Sequence, residues 1–180
     1  MTRSVPRRRR ALAAAGALAL AGSALAGCSA HPGQAASASY DLPDGTHESV
    51  TVSENEVQTA ATQLHDVRGL SSDVVLDHLI WLPAYEQVAK DHGVTISDAD
   101  AQQALTSVNL DADSASQSSI DVARVILYRN AIASLDQDSR TQVGTEFQTI
   151  QESSSLTASP RYDTQRDFLD TTGSSEVSLG

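Results

Sequence analysis

SSDVVLDHLIWLPAYEQVAKDHGVTISDADAQQAL, residues 71–105, is the stretch that decides the fold. On a helical wheel of 100° per residue, positions 72–92 gather their apolar side chains on about half of the circumference. Pro83 removes one backbone hydrogen bond and predicts a kink just before it. Gly93 predicts the end of this long helix, and Ser97 predicts the cap of the next helix. The stretch therefore predicts a long central helix, a short extended link and a second helix.

Four side chains of the central helix are the candidates for binding polypeptide. Leu76 and Ile80 fall outside the main apolar stripe, close to the polar side of the helix. A second apolar flank of this kind needs another neighbour or a partner. Trp81 and Tyr85 lie on the main stripe, where ordinary core packing is the favoured interpretation and an aromatic lip of a groove is the alternative. We therefore expect a groove for extended polypeptide beside Leu76 and Ile80, unless the fifth helix or the C-terminal tail covers it.

Caps and apolar spacing predict four further helices. Ser53 begins a capping box, and the helix that follows is predicted to end at Gly69. Residues 120–135 are apolar on nearly every side, which indicates a second buried helix. Residues 138–152 carry a narrow apolar stripe that suits a helix on the surface of a bundle. The predicted fold class is all-α: a compact bundle of about five helices around the long central helix.

The chain divides into four segments on composition. Residues 1–28 resemble a signal peptide, and residues 29–52 are predicted to be a tether with room for a short β-hairpin, because a Pro-Asp-Gly turn precedes the alternating sequence ESVTV. Residues 53–153 form the predicted helical domain. Residues 154–180 are rich in serine and threonine and are predicted to be an extended or disordered tail.

The first 28 residues determine the expected location. Five arginines precede a short apolar run, and the run ends in Leu-Ala-Gly-Cys at positions 25–28. This ending resembles the lipobox of bacterial lipoproteins, which implies that Cys28 is lipidated and becomes the N-terminus. The alternative is a free cysteine in an ordinary secretory peptide. We expect a lipid-anchored protein on the extracytoplasmic face of the cell membrane, with export by the Sec or the twin-arginine route left open. Cys28 is the single cysteine, so no intramolecular disulfide is possible.

The charge of the chain argues against two classes of partner. The net charge is −11; five of the twelve basic residues and none of the 23 acidic residues lie in residues 1–28, so the remainder carries −16. Such a chain lacks the cationic face that nucleic acid requires. It also lacks the basic clusters that attract anionic lipid, so the lipid anchor is the expected membrane contact.

No pattern of residues predicts a cofactor, a metal or a catalytic group. Two of the three histidines considered as metal ligands, His78 and His92, are 14 residues apart, about 21 Å along an α-helix, so one ion cannot bridge them. The spacing of Asn109, Asp111 and Asp113 suits a calcium loop, but the required glycine and the closing glutamate are absent. There is no nucleophile elbow and no glycine-rich phosphate loop. We therefore expect a protein that is not an enzyme. The histidines considered are His65, His78 and His92.

A family resemblance adds to these predictions. Residues 90–100, KDHGVTISDAD, are similar to the turn K-x-x-G-[IV]-x-[VI]-[ST]-[DE]-x-[ED] that joins two helices in the N-terminal chaperone domain of SurA, PrsA and the client-binding part of trigger factor. Residues 50–53 and the Leu79-Ile80 pair also carry the pattern. The closer resemblance is to short actinobacterial lipoproteins of the SurA N-terminal type, through residues 31–33 and 159–162. Asp163 departs from that pattern, which has glycine there.

The resemblance covers about residues 50–162 and implies a chaperone-like scaffold that binds unfolded or extended polypeptide. The chain has no room for the parvulin domain of SurA and PrsA, so prolyl isomerase activity is not implied. The alternative is a structural or adaptor lipoprotein that docks one folded envelope protein. Because folds of this kind can exchange elements between chains, a homodimer stays open.

Overall fold

The computed structural model describes residues 31–163 and Leu179. Cys28 and the signal-like segment, and most of the predicted tail, lie outside the described residues. The described part contains three β-strands and five α-helices in the order β1, β2, α1 to α5, β3. The strands are Gln34–Asp41 (β1), His47–Ser53 (β2) and Ser155–Ala158 (β3). The helices are Glu54–Gln63 (α1), Ser72–Asp91 (α2), Asp98–Ser107 (α3), Gln117–Ala133 (α4) and Gln137–Ser153 (α5).

The prediction of an all-α fold is wrong, because the strands form a three-stranded antiparallel sheet in the order β2-β1-β3. The β1–β2 hairpin turns through Gly45, whose φ of +85° favours glycine, while Asp44 Oδ1 accepts a hydrogen bond from the Thr46 backbone at 2.9 Å. The third strand comes from the segment predicted to be tail. The fold is mostly helical, but its class is mixed α and β.

The short hairpin expected within residues 29–52 is formed by β1 and β2, but the local sequence does not indicate the length and central position of β1. Its sequence QAASASYD contains no β-branched residue, so its strand propensity is low. It is a strand because both of its edges are paired and because one face is buried. That face carries Ala36, Ala38 and Tyr40, all of them in the core. Tertiary context therefore overrides the local preference of this segment.

The five helices begin where side chains cap them. Ser53 and Ser97 each form a capping box, with Glu56 and Asp100 respectively, and Ser71 caps α2 by accepting a hydrogen bond from Val74. The α1 helix ends at Gln63, earlier than the predicted end at Gly69, and irregular turns fill the interval.

The α2 helix lies at the centre of the molecule, as its apolar surface predicts. It packs against α1, α4 and α5 and against strands β1 and β2, whereas α3 packs on α4. Arg124 of α4 joins three elements at its surface, with its guanidinium 3.0 Å from Glu86 of α2 and 3.6 Å from Asp98 of α3. These contacts help to hold α3 beside α4, and the two helices line a groove between them.

The chain beyond β3 returns to the first two helices. The Tyr162 hydroxyl donates a hydrogen bond of 2.6 Å to Glu54 at the start of α1. The Asp163 backbone N–H donates one of 3.0 Å to the Asp73 carboxylate at the start of α2. Residues 162 and 163 are therefore held against the starts of α1 and α2.

Candidate functional sites

The four residues predicted to bind polypeptide lie in the core. Leu76 and Ile80 are 0% exposed, Trp81 is 1% exposed and Tyr85 is 4% exposed. Tyr40 of β1 covers one flank of α2: its ring centroid lies 5.0 Å from that of Trp81, and its hydroxyl donates to the Ile80 carbonyl at 3.0 Å. The space expected to be a groove beside α2 is therefore filled by the sheet.

The other flank of α2 is covered by α5. The ring centroids of Tyr85 and Phe147 lie 5.0 Å apart, and Phe147 is fully buried. Burial raises the pKa of Tyr85 to about 12, so its phenol stays neutral. The core-packing interpretation of these aromatic residues is the one that the structure supports.

A half-buried carboxyl, Asp77, and a buried imidazole, His78, follow one another on α2. Burial, reinforced by the carboxylates of Asp73 and Asp163, raises the pKa of Asp77 to about 7. Burial, reinforced by the charge of Arg129, lowers the pKa of His78 to about 3, so its imidazole is neutral. Asp77 Oδ1 and His78 Nε2 have no hydrogen-bond partner among the described residues. Neighbouring positions of a helix do not face each other, so the two groups do not form an acid–base pair.

An open groove lies instead between α3 and α4. It is a cavity of about 320 Å³. Its apolar lining comes from Ala104 of α3 and Leu127 of α4, and its rim carries the polar side chains of Gln103 and Asn130. We call it the α3–α4 groove. The full set of lining residues is Asp100, Gln103, Ala104, Ser107, Leu127, Asn130 and Leu179.

Leu179 occupies one end of the α3–α4 groove. It is only 5% exposed. The Ser107 hydroxyl lies within hydrogen-bonding distance of the Leu179 carbonyl and is 2.6 Å from the Ala104 carbonyl, so its one proton serves either acceptor in turn. The groove thus combines an apolar surface with a donor for a peptide carbonyl.

Asp100 gives the rim of the groove a negative charge. Hydrogen bonds from Ser97 lower the pKa of the Asp100 carboxyl, which is therefore ionised at neutral pH. A basic side chain placed close to this carboxylate would be attracted to it, and an acidic side chain would be repelled. The described lining residues thus offer apolar contacts, hydrogen-bonding groups and one carboxylate.

Sequence reading did not find this groove. Its residues come from two helices and from the segment predicted to be tail, and no local pattern joins them. The apolar character of α4 on nearly every side is the signal that could have pointed to it. Leu127 lies on the side of α4 that faces the groove, while Val125 and Ile126 lie in the core.

A second surface is the outer face of the sheet. Side chains alternate between the faces of a strand, so the positions between the buried residues of β1 point outward. Ser37 pairs with Thr51 and Thr157, and Ser39 pairs with Ser49 and Ser155. The outer face therefore carries two rows of three hydroxyl groups across the three strands, with no charge among them.

Neither a metal centre nor a membrane span is present in the described ranges, 31–163 and Leu179. They contain no cluster of three or more residues that could hold a metal ion. His92 instead lies 3.2 Å from Glu146 of α5, and His65 bonds to the Thr62 carbonyl at 2.9 Å. No described helix is long and apolar enough to cross a membrane.

Comparison with known proteins found no family model, no curated protein and no solved structure that matches this chain. The resemblance to SurA N-terminal lipoproteins therefore rests on the motifs quoted above.

Proposed function

We propose that this chain is a lipid-anchored extracytoplasmic protein that binds extended polypeptide segments in a chaperone-like way, without catalysis. The observation that carries the proposal is the α3–α4 groove, in which an apolar residue of a polypeptide, Leu179, lies against two helices. The motif at residues 90–100 supports the chaperone-like class, and the lipobox-like ending at Cys28 supports the location at the membrane. The binding surface differs from the one expected beside Leu76 and Ile80, because that space is filled.

The energetics of such a groove suit weak and reversible binding. Full burial of one leucine side chain contributes about 2 kcal/mol, whereas a dissociation constant of 1 mM corresponds to about 4 kcal/mol. Ordering a flexible client subtracts from this gain. A client therefore needs further contacts along its length, and it leaves readily when it folds and buries its apolar residues. The net negative charge keeps the complex in solution.

Blocking the groove tests the proposal. The full chain is expected to suppress aggregation of a chemically unfolded protein at several-fold molar excess, and Ala104→Trp is expected to lose most of this effect because indole fills the cavity. Ala133→Trp places the same side chain at an exposed position of α4 and serves as the matched control. Light scattering measures the outcome. Absence of suppression by the native chain would contradict the chaperone-like function.

The anchor is tested separately. Cys28→Ser removes the thiol that lipidation requires, so we expect the protein to move from the membrane fraction to the soluble fraction of expressing cells. One acyl chain gives marginal membrane binding, and two give stable anchoring. We therefore expect the ratio of membrane-bound to soluble protein to fall by roughly tenfold or more. Metabolic labelling with a fatty acid provides the second measurement. A native chain that takes up no labelled fatty acid would exclude the lipid anchor.

The second candidate is an adaptor that docks one folded envelope protein through the outer face of the sheet. The uncharged hydroxyl rows and the filled core favour it. A photocrosslinking residue at Thr51 samples the sheet face, and one at Gln103 samples the groove rim. One stoichiometric product from Thr51 supports the adaptor. Many products from Gln103, and few from Thr51, support the chaperone-like function.

A further inference from the structure

We infer that Leu179 is a built-in ligand of the α3–α4 groove, which competes with outside polypeptide, and that the groove is selective for a leucine-sized apolar residue presented with its carbonyl oxygen. The inference rests on the proposed function and specifies both the ligand class and the regulation of the same site. It changes the resting state of the protein: the groove is occupied until a client displaces Leu179.

The burial of Leu179 is the first observation behind the inference. Leu179 is buried to the same degree as core residues such as Ala38 and Ile120, each 5% exposed. Its contact with Ser107 joins positions 72 residues apart, so it is a tertiary contact.

The composition of the groove indicates which ligand it takes. Ala104 and Leu127 provide the apolar contact, and the exposed Ser107 provides a hydroxyl donor for the backbone carbonyl of the ligand. Ionised Asp100 at the rim disfavours an acidic side chain at this point. The cavity has about 320 Å³ beside Leu179, so a second side chain of an extended ligand also has room. A ligand residue with an apolar side chain and an available backbone carbonyl therefore matches the apolar lining, the Ser107 donor and the negative rim at Asp100.

Competition by a tethered ligand has a predictable size. A ligand on the same chain is present at an effective concentration on the order of millimolar. If the Leu179 segment binds the groove with an intrinsic dissociation constant about tenfold lower than this value, its occupancy raises the apparent dissociation constant of an outside peptide by about tenfold. Removing the apolar side chain of Leu179 is therefore expected to tighten the binding of outside peptide.

The experiment uses the full chain and a fluorescein-labelled peptide of sequence SSEVSLG, residues 174–180. Fluorescence anisotropy is expected to show about fivefold to tenfold tighter binding to Leu179→Asp than to the native chain. Ser178→Asp adds the same charge but keeps the leucine, so we expect it to bind the peptide as the native chain does. A peptide with aspartate in place of leucine is expected not to bind. Adding Ala104→Trp to Leu179→Asp is expected to abolish binding, and thermal melts check that each variant is folded.

The outcomes separate this inference from the proposed function. Equal peptide affinity of the native chain and Leu179→Asp would show that Leu179 does not compete, whereas aggregation suppression by the native chain would leave the proposed function standing. No binding of the peptide by folded Leu179→Asp would overturn the recognition of leucine. Tight peptide binding without any suppression of aggregation would support the groove ligand and contradict the chaperone-like function.

Discussion

Leu76→Ala is expected to lower the free energy of unfolding by about 3 kcal/mol. Leu76 is fully buried in α2, and replacing a buried leucine with alanine removes apolar contacts and leaves a cavity. The neighbouring helices are held by their own packing, so they can collapse into the space only in part. Urea denaturation followed by circular dichroism measures the change.

The matched control is Leu135→Ala, the same substitution at a partly buried position after α4. Its cost is expected to be clearly smaller, because less apolar surface returns to water. The comparison also tests the groove expected from sequence beside Leu76. If Leu76→Ala weakened client binding and left stability unchanged, Leu76 would be a binding residue and not a core residue.

Asp77→Asn is expected to stabilise the protein at pH 8 and to have little effect at pH 4. The pKa of Asp77 is about 7 in the folded protein and 3.8 in its ordinary state, so the folded protein holds the proton more tightly. The contribution of Asp77 to stability is therefore present at acidic pH and is lost as the pH rises from about 4 to about 7. Asparagine has the same shape and carries no charge, so it removes this loss.

The size of the effect follows from the shift. Each pKa unit corresponds to about 1.4 kcal/mol, and the remaining solvent contact of the carboxylate reduces the total, so we expect a gain of about 2 kcal/mol above pH 8. Urea denaturation between pH 4 and pH 9 measures it. Asp113→Asn, at an exposed loop position, is the control and should leave the pH profile unchanged. A native profile that does not decline between pH 4 and pH 7 would contradict the burial of the Asp77 carboxyl.

The helices could be predicted because their signals are local. Ser53 and Ser97 caps, the glycine at position 93 and the apolar spacing of α2 all act within a few residues, and the structure places the central helix at Ser72–Asp91. The sheet could not be predicted as a whole. The β3 strand is four residues long, and it pairs with β1 across more than one hundred positions of sequence. Its formation depends on partners that no sequence window contains.

The surfaces were harder to predict than the helices for a related reason. A helical wheel shows which side chains share a face, but it does not show what covers that face. Leu76 and Ile80 were expected to need a neighbour, and Tyr40 from the first strand of the hairpin lies against Ile80. The α3–α4 groove involves Leu179, and nothing near position 179 indicates burial. Contacts between residues far apart in sequence therefore determine whether the Leu76–Ile80 face is covered and which residues line the α3–α4 groove.

The position of β1 in the middle of the sheet has a mechanical consequence. β1 begins six residues after Cys28, a span of about 20 Å when extended. Tension on an acylated N-terminus would therefore reach β1 almost directly and would pull it lengthwise. Since β2 and β3 hold it on both edges, many backbone hydrogen bonds would have to shear together before the strand slid out. If the chain is anchored through Cys28 as proposed, the strand nearest to the anchor is thus the one best placed to resist being pulled out of the domain.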